Sequence, residues 1–169
     1  MNIGYAQSVI TPSLERPVYL AGFGNNRRAE TVHDDLTARA LSIHTGETVL
    51  VLCALDLIGF FRSDVQDVIH QVHQAHPNAN IVIASTHTHH GPDTMGLWGP
   101  DDMTRGVDSQ YMADLKSKIA ETILASLSDP KPATFKSTSV HVPGLVTNAR
   151  NPQIIDDELT LAQFLDVEN

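Results

Sequence analysis

The pattern of apolar and polar residues predicts both strands and helices along the chain. The strand-like runs at the start are residues 3–10, 36–44 and 48–57. The last two of these are joined through Thr45-Gly46-Glu47 at the spacing of a β-hairpin. Val49–Leu55 and Ile81–Ala84 are apolar throughout, which is typical of strands buried on both faces of a sheet. We therefore expect both faces of the strand at 81–84 to be covered and the strand at 49–55 to lie centrally in the sheet.

Two stretches have the 3.6-residue period of amphipathic helices. Ser63 and Gln66 have the spacing of a capping box at the start of the first helix, and His76-Pro77 ends it. Its apolar stripe is Val65, Val68, Ile69 and Val72. The second helix begins at Ser109 and stops at Asp129-Pro130. Its apolar stripe is Met112, Leu115, Ile119, Ile123 and Leu127.

The order strand, helix, strand implies a right-handed crossover onto a parallel pair. With further strands at 133–142 and 158–167, this predicts an α/β fold. We expect a mixed sheet with a parallel βαβ core, flanking helices and additional antiparallel strands. No repeat, low-complexity segment or linker interrupts residues 1–169, so we predict a single domain. Asp56 and His87 then lie at carboxyl ends on one edge of the sheet, where open α/β sheets place their ligands.

Composition and charge narrow the choice of partners. The net charge is −9 and no basic cluster is present, which argues against nucleic acid and against anionic membrane surfaces. The single cysteine, Cys53, lies within an apolar run and is interpreted as a small core residue. The first residues lack a signal peptide, and no run is long enough to be a transmembrane segment. We therefore expect a cytoplasmic protein.

Three histidines follow the apolar run at 81–84. In an extended backbone His87 and His89 point to the same side and His90 faces away, and Gly91-Pro92 ends regular structure. Two imidazoles converging at the end of a buried strand favour a transition metal such as zinc. The alternative is a polar strand end that only meets solvent. Asp56 either orients a ligand histidine or caps its own loop.

Loops on either side of these histidines offer further candidates. Residues 93–107 form a long loop that is either a wall or lid beside the site or a surface excursion packed by Trp98. Asp101 and Asp102 are either metal ligands or a hydrated acidic pair. Gly22-Phe-Gly24 lacks the third glycine of a dinucleotide-binding motif, so we expect a tight turn or a close backbone approach there.

Ser85–Pro92, which reads Ser-Thr-His-Thr-His-His-Gly-Pro, resembles the Thr-His-Thr-His-Ser-Gly-Pro motif of neutral, non-lysosomal ceramidases. Five other segments resemble motifs of that family in the same order. They are Ile10–Pro12, Leu20–Gly24, Ala38–Ala40, Leu55–Leu57 and Asn148–Pro152. The resemblance spans nearly the whole chain. Only the His-Thr-His block is specific alone, but the ordered set is strong.

The resemblance implies an α/β catalytic domain that uses zinc to hydrolyse an N-acyl amide of a small molecule or lipid. It implies that His87 is a metal ligand and that His89 and Arg150 are catalytic residues near the zinc. Asp56 and His90 remain candidates for contacting a zinc-binding side chain or the substrate, and His90 stands where the family has a serine. For Arg150 the alternative is a surface salt bridge.

The family's second zinc histidine, a glutamate and a tyrosine come from further along its chain. No Ala-Cys-His-Pro type motif appears here, so the resemblance implies the N-terminal portion of a larger catalytic domain. The remaining zinc ligands would come from a missing C-terminal part of the same protein. The alternatives are a non-catalytic binding domain or incomplete fragment that keeps the family scaffold, and a hydrolase of a non-ceramide amide or ester.

Overall fold

The computed structural model describes residues 1–167. Six strands and two helices follow one another along the chain. They are β1 (Asn2–Val9), β2 (Thr37–Thr45), β3 (Thr48–Leu55), α1 (Arg62–His73), β4 (Ala79–Ser85), α2 (Ser109–Ser128), β5 (Lys131–His141) and β6 (Glu158–Asp166). The strands form one sheet in the order β4-β3-β2-β1-β5-β6. Neither helix of the described chain is long and apolar enough to span a membrane.

The pairing of strands confirms the predicted α/β class. β2 and β3 form an antiparallel hairpin whose last pair is Thr45 with Thr48, and Gly46 occupies the turn at φ 57°. β3 and β4 are parallel and aligned from Val49 beside Ala79 to Leu55 beside Ser85, with α1 as the crossover. All other pairs are antiparallel. The carboxyl ends of β3 and β4 therefore meet at one edge, as predicted.

Both helices contribute to one hydrophobic core with the sheet. The apolar stripe of α2, together with Val68 and Val72 of α1, packs against buried residues of β2 and β3. Cys53 is part of this core, where burial raises the pKa of its thiol to about 12. The opposite face of the sheet is uncovered: Leu52 of β3 and Val82 of β4 are exposed. The prediction that both faces of β4 are buried is therefore wrong for the described chain, in which β4 is an edge strand, whereas β3 lies inside the sheet between β2 and β4.

The boundaries of α1 also differ from the prediction. Phe61 is the N-cap in an extended conformation, with no side-chain hydrogen bond, and its carbonyl accepts from the amide of Val65. Because the first turn closes around Phe61, Ser63 already lies inside the helix, and the predicted Ser63 cap is wrong. At the other end the amides of Gln74 and Ala75 bond to carbonyls three residues back, which tightens the chain and ends α1 at His73.

The second helix begins where the sequence predicts it. Asp108 is the N-cap of α2, and its carboxylate accepts hydrogen bonds from the amides of Gln110 and Tyr111. β4 begins at Ala79, two residues before the predicted start. β5 covers Lys131–His141 where 133–142 was predicted. These differences leave the predicted order of elements unchanged.

Candidate functional site

The backbone turns directly after β4, and this turn brings two histidine rings together. His87 has a left-handed φ of 62°, so the extended geometry that predicted the convergence of His87 and His89 ends before His87. The centroids of the two rings are nevertheless 5.1 Å apart, in an edge-to-face arrangement. The amide of His87 bonds to the carbonyl of Leu57 at 3.0 Å, which anchors this turn to the end of β3. The rings meet because of the turn rather than because of strand alternation.

One ring nitrogen of His87 is fixed by the backbone. Its Nδ1 lies 2.7 Å from the carbonyl oxygen of Ile58. Because a carbonyl can only accept a hydrogen bond, the proton of the neutral ring is on Nδ1. This assigns the lone pair to Nε2, the form in which histidine binds a metal ion. The residue is exposed, so Nε2 can be reached from outside the chain.

The ring of His89 is held between a glycine and an aromatic side chain. A Cβ built on Gly22 would lie 2.1 Å from Nδ1 of His89, so only glycine allows this close approach. Within the described residues Nδ1 of His89 is buried and has no hydrogen-bond partner. The ring of Phe23 lies 4.5 Å from that of His89, centroid to centroid. His89 is therefore fixed by packing, whereas His87 is fixed by a hydrogen bond.

Phe23 is a site residue that the sequence did not reveal. It has a left-handed φ of 58°, which is rare for a bulky residue, and it is 80% exposed. The centroid of its ring lies 5.3 Å from the guanidinium carbon of Arg27. The same guanidinium group donates hydrogen bonds to the carbonyls of Ala21 and Gly22. Backbone strain of this kind concentrates at functional sites. The Gly22-x-Gly24 spacing predicted a tight turn or a close backbone approach, and Leu20–Gly24 resembles a ceramidase motif, but neither signal named His89 as the neighbour.

Asp56 lies at the end of β3 but directs its hydrogen bonds toward β2. Its Oδ2 accepts from the amide and hydroxyl of Thr37 and from Arg39. The group that orients His87 is thus the carbonyl of Ile58, not this carboxylate. Burial acts to raise the pKa of Asp56, but the hydrogen bonds from Thr37 and the charge of Arg39 outweigh it and hold the pKa below its usual value.

We expect Asp56→Asn to change how stability depends on pH. A carboxyl whose pKa is lowered by folding stabilises the protein above its unfolded pKa, and this contribution is lost as the pH falls through the folded value. The variant should be less stable than the wild type near neutral pH, and its free energy of unfolding should fall less steeply below about pH 4. Urea unfolding at several pH values measures this. Asp34→Asn, at an exposed carboxylate, is the control, and an identical slope for all three proteins would contradict the expectation.

The loop after the histidines is held in shape by one buried carboxylate. Asp93 is buried, and it accepts hydrogen bonds from four successive amides, those of Met95, Gly96, Leu97 and Trp98. The loop is also bonded to the segment before β2: the amide of Asp93 donates to Tyr19, and that of Asn26 donates to Gly99. These bonds fix the loop against the segment before β2, and its predicted role as a wall or lid beside the site stays a prediction. The sequence did not single out Asp93 for this role.

The acidic pair in this loop has partners within the protein. Asp101 accepts from the amide of Met103, and the pKa of Asp101 is lowered mainly by that hydrogen bond. Asp102 accepts from the side chain of Asn25. Within residues 1–167 no group of three or more His, Cys, Asp or Glu side chains is arranged to hold a metal ion. Of the two paired histidines, His87 is the one whose ring a backbone carbonyl orients.

His90 and Arg150 lie apart from the pair of histidine rings. His90 lines a separate groove of about 680 Å³ together with apolar residues that include Val18, Leu20 and Leu36. Arg150 is exposed in the loop between β5 and β6, where its amide donates to Asn148. No contact within the described chain joins Arg150 to His87 or His89. A catalytic role for Arg150 and a substrate contact for His90 stay predictions.

Comparisons with known proteins agree with the predicted resemblance at the level of the fold. No protein-family model matches the chain, and no curated protein matches it. Solved structures do, among them a ceramidase complexed with C2 and the neutral ceramidase from Pseudomonas aeruginosa, each with a TM-score of 0.82 and 21% sequence identity. The matches cover 99% of this chain but only 29% and 30% of those chains. The chain thus has the fold of part of a neutral ceramidase and spans less than a third of the length of these enzymes.

Proposed function

We propose that the chain is part of a zinc-dependent hydrolase that cleaves an N-acyl amide bond in a ceramide-like substrate. The observation that carries the proposal is the pair formed by His87 and His89, with Nδ1 of His87 bonded to Ile58 and its Nε2 available. The pair follows a parallel strand of a sheet that has the fold of neutral ceramidases. The remaining zinc ligands belong to polypeptide beyond the described residues, since zinc sites have three or four protein ligands.

His87 and His89 would have different roles in this hydrolysis. His87 would hold zinc through Nε2, and the ion when bound would polarise the amide carbonyl and acidify a water molecule. His89 exchanges protons through Nε2, because its Nδ1 is buried against Gly22. Water adds to the carbonyl carbon, the C–N bond breaks, and one proton from that water goes to the leaving amine. The products are a carboxylate and a free amine, and the second proton of the water is released to solvent.

The groove lined by His90 supports an amide with an apolar chain as the substrate. Its volume of about 680 Å³ is within the range of small-molecule sites, and its lining combines apolar side chains with charged ones, including Arg28 and Glu30. The groove is separate from the histidine pair, but Thr88 and His90 of the same short segment line it. His90 would then contact the bound substrate.

A direct assay of the whole gene product tests this function. We expect equal amounts of fatty acid and free amine from a short-chain N-acyl sphingoid base, with the activity lost on chelation and restored by zinc. A matched ester and a simple N-acyl amine tell whether the substrate is the ceramide class or another amide or ester. Binding of the intact amide with no release of amine would reject hydrolysis and support a non-catalytic binding domain.

A further inference from the structure

The loop that contacts His89 has a backbone conformation that most of its residues rarely adopt. Between positions 22 and 26 four residues have a left-handed φ, and two of them, Phe23 and Asn26 at 58°, carry side chains. A bulky residue such as Phe23 is an outlier at this φ, and such strain persists only where the surrounding structure fixes it. Burial does not fix Phe23, which is 80% exposed. Another interaction therefore holds its ring in place.

Arg27 supplies that interaction from the far end of the loop. The amide of Leu20 bonds to the carbonyl of Arg27 at 2.7 Å, which closes the loop at its base. The guanidinium group reaches back across the loop, where Nη1 donates to the carbonyls of Gly22 at 2.8 Å and Ala21 at 3.2 Å. Its carbon lies 5.3 Å from the centroid of the Phe23 ring, within the range of a cation–π contact. One side chain thus holds both the backbone and the aromatic ring of this loop.

The two groups that Arg27 holds are the two that pack against His89. The ring of Phe23 lies 4.5 Å from that of His89, centroid to centroid, at an interplanar angle of 45°. Gly22 approaches Nδ1 of His89 so closely that a Cβ would lie 2.1 Å from it. Within the described residues this nitrogen has no hydrogen-bond partner, so no directional bond at Nδ1 fixes the rotation of the ring. The orientation of His89 therefore depends on packing against groups that Arg27 fixes.

We propose that Arg27 is a positioning residue for His89. It acts through Phe23 and the carbonyl of Gly22, and in this way it sets the direction in which His89 presents Nε2. None of the ion pairs of the described chain includes Arg27, so its charge is available for the aromatic ring. Arginine suits this role because its planar group can donate to carbonyls and lie over an aromatic face at the same time.

This role rests on the proposed function only in giving His89 a reaction to perform. The packing of the His89 ring can be measured with no substrate present, so the two ideas fail separately. A whole gene product that cleaves no amide would reject the proposed function and leave the effect of Arg27 on His89 measurable. An active product in which the ring is indifferent to Arg27 would do the reverse.

Chemical modification of the whole gene product tests the packing. Diethyl pyrocarbonate acylates accessible imidazole nitrogens, and mass spectrometry of the peptides gives a rate for each histidine. We expect Arg27→Gln to raise the rate at His89 at least about fivefold, because loosening the loop uncovers the ring. The rate at His70, on the exposed side of α1, should not change. Lys118→Gln, which removes one positive charge from the exposed side of α2, is the matched control and should alter neither rate.

Steady-state kinetics separates positioning from folding. Arg27→Gln should lower kcat for amide cleavage at least about tenfold and leave KM within about twofold, because it misplaces a reacting group without removing a binding contact. Phe23→Tyr keeps the aromatic face and should retain the kcat of the wild type, whereas Phe23→Leu should lose activity as Arg27→Gln does. Both replacements are strained at the left-handed φ of position 23, so the comparison between them isolates the aromatic ring.

Two results would overturn the role of Arg27. One is a rate of modification at His89 that stays at the wild-type value in both Arg27→Gln and Phe23→Leu. The other is a lower melting temperature of Arg27→Gln with unchanged kcat, which would identify a contact that serves stability alone. Arg27→Lys keeps the charge but loses the planar group, and it is the second variant if the glutamine variant does not fold. It should also raise the rate of modification at His89, and an unchanged rate would count against the proposal.

Discussion

Replacing His87 by alanine in the whole gene product should abolish hydrolysis and remove bound zinc. In the described structure its Nδ1 donates to Ile58, so Nε2 is the prepared ligand atom, and alanine offers neither. Loss of residues that only orient a metal ligand typically costs 10–100-fold, so losing the ligand should lower kcat by at least about a hundredfold. Zinc content by elemental analysis and kcat for amide cleavage measure the two effects.

The fold should survive this change, which separates a role in the site from a role in stability. The lost hydrogen bond is worth about 1 kcal/mol, but alanine is also strained at the left-handed φ of position 87. His87→Asn is the better second variant, because asparagine tolerates this backbone conformation. His70→Ala, on the exposed side of α1, is the matched control. If both changes at position 87 leave zinc and activity intact, His87 is not a ligand.

Gly22→Ala should destabilise the protein and displace His89, whereas Gly24→Ala should only destabilise it. Both glycines have positive φ, at 80° and 113°, so alanine is strained at either position by about 1–3 kcal/mol. Only at Gly22 does the new Cβ collide with the ring of His89, at 2.1 Å from Nδ1; nothing lies within 4 Å at Gly24. Overpacking of this kind adds about 1–3 kcal/mol. The difference between the variants isolates the contact with His89.

Urea unfolding and steady-state kinetics together resolve the two contributions. Gly24→Ala should show a lower free energy of unfolding with kcat close to that of the wild type. Gly22→Ala should show a larger loss of stability and a kcat at least about tenfold lower, because small misplacements of a catalytic group are costly. Equal stability and equal kcat in the two variants would mean that Gly22 does not position His89 in solution.

Local patterns in the sequence were enough to predict the order of elements and the position of the histidines. The hairpin through Gly46, the parallel pair β3–β4 and the start of α2 at Ser109 all follow from residue periods and turn residues close together in the chain. The His-Thr-His block marked the site for the same reason, since its signal lies within a few residues. Properties of this kind depend on backbone geometry, which the nearest neighbours largely determine.

Contacts between distant segments were decided only by the tertiary structure. Phe23 and Gly22 meet His89 across more than sixty residues, and nothing in the local sequence reports that packing. The turn at His87 likewise depends on the carbonyl of Ile58, and the amide of Asp93 donates to the distant carbonyl of Tyr19. The open face of β3 and β4 is the converse case. An apolar strand sequence is typical of burial on both faces. Which face is buried within the described chain depends on where the two helices pack.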